Sequence, residues 1–78
     1  MNITVTKKDI ANGKRRSITD CPIALACKRR CKTESVQVDC DYIIVNGARY
    51  LPVEDFQSAF DDGGPDAVRP SRFTLEQA

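Results

Sequence analysis

The chain has 78 residues, 29% charged and 41% hydrophobic, with three Phe, two Tyr, four Cys and no His. A chain this short buries only about 60% of the surface its unfolded form exposes, which allows one modest core and no deep substrate cavity. Without His it lacks the commonest general base, the usual partner of a Ser or Cys nucleophile and a frequent metal ligand, so conventional hydrolase triads are excluded and a non-enzymatic role is expected.

The net charge of +1 hides an asymmetry. Residues 1–32 hold nine Lys and Arg against two acids, a net +7, whereas residues 33–78 hold three Arg against nine acids, a net −6. Either the two halves form electrically distinct surfaces or folding interleaves them.

In chain order, Asn2 to Thr6 alternates with Ile3 and Val5 on one side, the period of a half-buried strand. Thr6 and Asp9 have the spacing of a capping box at the start of a short helix, with Ile10 facing inward and Gly13 expected as a left-handed stop. A polar, basic loop over residues 14–20 leads to the main amphipathic helix, about 22–32, with Pro22 in its first turn. Ile23, Cys27 and Cys31 stack along its apolar side with Ala24 and Ala26 at the edges, while Lys28, Arg29 and Lys32 lie on other faces.

Residues 35–39 and 42–45 read as strands, and Asn46-Gly47 is a two-residue hairpin signal that pairs Val45 with Ala48, Ile43 with Tyr50 and Tyr42 with Leu51. Pro52 ends that strand. Val53, Phe56, Ala59 and Phe60 fall at helical spacing, predicting a second short helix over about 53–61, stopped by Asp61-Asp62-Gly63-Gly64-Pro65. Arg72 to Glu76 alternates as a last strand expected to pair within the sheet. The expectation is a single α+β domain over 1–78, a small antiparallel or mixed sheet packed against the two helices.

No glycine-rich run opens a helix as phosphate cradles do, and no cofactor is indicated. Cys21, Cys27, Cys31 and Cys40 lack the short knuckle spacing of zinc sites. Cys27 and Cys31, one turn apart, read as small buried hydrophobes or as part of a zinc-stabilised domain. Cys21, at a helix N-terminus near Arg15 and Arg16, is a candidate reactive thiol or a first-turn residue. No spanning segment or export leader is read, so free thiols in a cytoplasmic setting are expected. The candidate partner-binding residues are the basic set Lys14, Arg15, Arg16, Lys28, Arg29, Arg30 and Lys32. An alternative acidic surface is Glu54, Asp55, Asp61 and Asp62, which would imitate nucleic-acid phosphate. Direct nucleic-acid binding through the basic set is the competing reading, although no aromatic residue lies in the basic half.

The chain resembles small uncharacterised proteins encoded in bacteriophage and prophage genomes. The resemblance rests on Ile3-Thr4-Val5-Thr6, Cys21-Pro22-Ile23-Ala24-Leu25-Ala26, Gly47 with Tyr50-Leu51-Pro52, and Phe73-Thr74-Leu75. It carries no established activity and transfers no functional residue. It implies expression inside a bacterial host and action by binding a host protein complex, as an inhibitor or modulator of the anti-defence or anti-CRISPR kind.

Overall fold

In the computed structural model, which describes residues 1–78, the first alternating segment is a strand, β1 (Asn2–Val5), with Ile3 and Val5 buried and Asn2 and Thr4 exposed. The capping box forms as the sequence predicts. Asp9 N–H donates to Thr6 Oγ1 at 3.1 Å and Thr6 N–H to Asp9 Oδ2 at 2.9 Å, which starts α1 (Lys7–Asn12). Gly13 is a correction: its backbone is extended, with φ −68° and ψ 149°, and supplies no left-handed stop. Its requirement is space, because a Cβ there would lie 2.6 Å from Pro22 Cδ and 2.8 Å from the Asp9 carbonyl oxygen.

Helix α2 (Pro22–Cys31) buries Pro22, Ile23, Ala24, Ala26 and Cys27 and leaves Cys31 half-buried. It stops one residue before the expected end, where Lys32 turns into the left-handed region at φ 50° and its N–H bonds the Lys28 carbonyl.

The hairpin also follows the sequence. β2 (Val36–Val38), β3 (Ile43–Val45) and β4 (Ala48–Tyr50) form an antiparallel sheet in that order, and the register across the turn pairs Ile43 with Tyr50 and Val45 with Ala48. Asn46 and Gly47 both have positive φ, 51° and 83°, as a two-residue turn of this kind demands. Tyr42 and Leu51 do not extend the ladder as expected. Leu51 N–H donates instead to the Glu76 carbonyl at 2.8 Å, and both side chains are exposed.

Helix α3 (Glu54–Gly63) runs two residues beyond its expected end, so Asp61, Asp62 and Gly63 are helical and the stop falls at Gly64, with φ 77°. Phe56 and Phe60 are core residues, as their helical spacing predicts. A 3-10 turn (Pro65–Ala67) leads to β5 (Ser71–Thr74), which pairs antiparallel with β1 and places Ile3 opposite Phe73. Phe73 packs edge-on against Phe56, with ring centroids 5.4 Å apart.

The strands therefore form two antiparallel sheets, β1-β5 and β2-β3-β4, in place of the single sheet expected. The last residues join them. Leu75 exchanges two backbone bonds with Met1, at 2.6 and 2.9 Å, while Glu76 accepts from Leu51 and Ala78 N–H donates to Arg49. Neighbouring residues of an extended chain direct their backbone groups to opposite edges, so this segment lies between β1 and β4. One hydrophobic cluster draws on both sheets and all three helices, including Ile3, Ile10, Ile23, Cys27, Ile43, Phe60 and Leu75.

Candidate functional site

The fold separates the basic residues into those it uses itself and those it leaves free. Arg15 is used: its Nε donates to the Asp61 carbonyl at 2.9 Å and Nη2 to the Asp62 carbonyl at 2.7 Å, satisfying two open acceptors at the C-terminal end of α3. The backbone N–H of Arg16 donates to Asp61 Oδ1 at 2.9 Å. The Lys14–Arg16 loop and the acidic end of α3, which the sequence offers as rival surfaces, are thus one contact region. At this point the charge halves interleave. Arg15 is removed from the free partner-binding set, and the Asp61 carboxylate from a free acidic patch; Asp62, engaged only through its carbonyl, stays exposed, as do Glu54 and Asp55 at the other end of α3.

Arg29 is also committed. Nη1 and Nη2 hold the two Asp9 oxygens at 2.6 and 2.8 Å, and Nη2 reaches the Thr4 carbonyl at 2.7 Å. Asp9 is buried, and its carboxylate caps α1 while it clamps Arg29. Burial is the largest influence on its pKa and pushes it up. The Arg29 and Thr6 hydrogen bonds and the guanidinium charge together outweigh burial and hold it below the ordinary value. The same hydrogen bond raises the Arg29 pKa. In the sequence Asp9 is legible only as a cap; the clamp joins residues twenty positions apart and leaves no local signal.

The clamp presents Arg29 on a stripe of α2 made of Leu25, Lys28 and Arg29, at the i, i+3, i+4 spacing of one helical face, with Lys32 just past the end of the helix. Two shallow, open depressions adjoin on this face and share Leu25 and Arg29; one includes Lys8 and Lys14, the other Lys28 and Lys32. Lys28 is held at 3.4 Å from Asp20 and 3.7 Å from Glu34. Lys8, Lys14 and Lys32 are exposed and have no carboxylate within ion-pair distance. Leu25, half-buried at the centre, is not singled out by the apolar pattern of the helix because it lies off the core stripe. Arg30 is exposed but lines neither depression.

The thiols divide by burial. Cys21 and Cys27 are fully buried, Cys31 half-buried and Cys40 exposed, and all four are free. Cys21 sits at the N-cap of α2 without a side-chain capping bond, and burial pushes its thiol up, which corrects the expectation of an activated thiolate. Burial pushes Cys27 up to about 12. Cys31 Sγ lies 3.2 Å from Met1 Sδ. No three Cys, Asp or Glu side chains gather in metal-ligand geometry, and no helix is long and apolar enough to cross a membrane.

No protein-family model, curated protein or solved structure matches the chain.

Proposed function

We propose that this chain is a non-enzymatic binding protein that engages an acidic surface of a partner protein complex through the cationic face of α2. The observation that carries the reading is the arrangement around Leu25: a half-buried apolar side chain bordered by Lys8, Lys14, Lys28, Arg29 and Lys32, with Arg29 already fixed by Asp9 and Thr4. An apolar centre with a charged rim is the composition of a protein interface, and a side chain ordered before binding loses less entropy on association. The five aromatic residues lie outside this face, so it offers no stacking platform for bases. In the setting implied by the resemblance to phage-encoded proteins, the partner is a host complex in the bacterial cytoplasm and the consequence of binding is inhibition, as an anti-CRISPR or related anti-defence protein acts.

The test is an affinity pull-down from bacterial lysate with and without nuclease, comparing the parent chain with a Lys8→Glu, Lys14→Glu, Lys32→Glu variant. A defined complex retained after nuclease and lost with the variant is the expected result. Retention of nucleic acid alone, with every protein lost to nuclease, overturns the reading in favour of direct nucleic-acid binding.

A further inference from the structure

The stripe on α2 already holds ligands of one chemical kind, supplied by the chain itself. Asp20 approaches Lys28 from the loop before the helix, and Glu34 approaches it from the turn after the helix. The Glu34 side chain is 89% exposed and makes only this 3.7 Å contact, so water and salt screen it and it is readily displaced. Asp9 seats on Arg29 from below with both oxygens. Carboxylates thus reach the two central cations of the stripe, while Lys8, Lys14 and Lys32 around them stay without a partner. From Leu25 to the last residue of α2, Cys31, is six residues, about 9 Å along the helix axis, a span that two turns of a partner helix or three residues of a strand cover.

From this we infer that the face docks an acidic segment of the partner protein carrying one apolar residue that sits on Leu25, with flanking carboxylates on Lys8, Lys14, Lys28 and Lys32; Glu34 is an internal placeholder that the incoming carboxylate displaces from Lys28. This rests on the reading of the α2 face given above and adds the chemistry of what binds there. One feature separates such a segment from a phosphate backbone: Leu25 offers an apolar contact that a phosphate chain does not use.

The experiment uses fluorescence anisotropy with three labelled probes: a twelve-residue peptide of Glu with one central Leu, the same peptide with Ser in place of Leu, and a twelve-nucleotide oligothymidylate. The parent chain binds the Leu peptide about tenfold more tightly than the Ser peptide, the scale expected for covering much of an apolar side chain. Leu25→Ser removes that preference, Glu34→Gln tightens the Leu peptide several-fold by freeing Lys28, and Lys32→Glu weakens both peptides. Glu34→Gln and Lys32→Glu alter exposed side chains and leave the core intact, so they read out the inference even where Leu25→Ser lowers stability. Equal affinity for the two peptides, tighter binding of oligothymidylate than of the Leu peptide, or no gain from Glu34→Gln overturns the inference. Should the pull-down still retain a protein complex through Lys8, Lys14 and Lys32 in that event, the inference alone falls and the assignment of the face stands.

Discussion

At the scale of single residues, Asp9 has the largest set of roles, because one carboxylate closes the capping box and fixes Arg29. Asp9→Asn keeps the volume and forfeits the charge-assisted bonds, an expected loss of about 2 kcal/mol in unfolding free energy by urea titration. The folded pKa lies below the ordinary 3.8, so the contribution is present above that value and is lost as pH falls below it through the lower folded pKa. Stability of the parent chain should drop more steeply than that of Asp9→Asn below about pH 5. Cys27 works at the opposite end of the scale. Its folded pKa is raised to about 12 from 9.0, so the fold keeps a neutral thiol that the unfolded chain ionises. The stabilisation is complete below pH 9 and is lost progressively as pH rises toward 12, a trend that Cys27→Ala should reduce in alkaline melts. A thiol-specific reagent at neutral pH should label Cys40 first, Cys31 more slowly, and Cys21 and Cys27 only after denaturant is added; rapid labelling of Cys21 in the native state would restore its candidacy as a reactive thiol.

At the scale of elements, two glycines are required for different reasons. Gly47 has φ 83° and nothing within 4 Å of the place a methyl group would occupy, so Gly47→Ala costs only the left-handed backbone penalty, about 1 kcal/mol. Gly13 has an ordinary φ but no room, and Gly13→Ala pushes α1 away from Pro22, with an expected cost of about 2 kcal/mol in the same urea titration. The alternation of β1, the Val45–Ala48 and Ile43–Tyr50 hairpin register and the α1 cap are written locally: β-alternation, Asn-Gly and Thr-x-x-Asp act over a few residues, and the structure keeps all three. The end of α3 is different. Two aspartates and a glycine read as a stop, yet the helix continues through them because Arg15, more than forty residues earlier, binds the carbonyls of Asp61 and Asp62. Arg15→Ala should fray that end and reduce helicity by circular dichroism, at a cost of about 1 kcal/mol.

At the scale of the molecule, the C-terminal segment makes one assembly of two small sheets. Deleting residues 76–78 removes the bonds from Leu51 and to Arg49 while leaving Leu75 in the core, and should speed amide exchange in β4 ahead of β1. The overall charge pattern also belongs to this scale. A sequence split into +7 and −6 halves folds so that the Arg15–Arg16 loop meets the acidic end of α3, while Arg29 is held by Asp9 from its own half. The sequence by itself determined the α+β class, the hairpin register, the α1 cap and the apolar side of α2, because each follows from periodicity or turn chemistry within about ten residues. Tertiary structure alone decided which cations are free, that Leu25 lies at their centre, that Cys21 is sealed in the core and that the strands form two sheets. Those outcomes depend on which distant groups meet, and a linear spacing carries no record of a partner twenty or forty residues away.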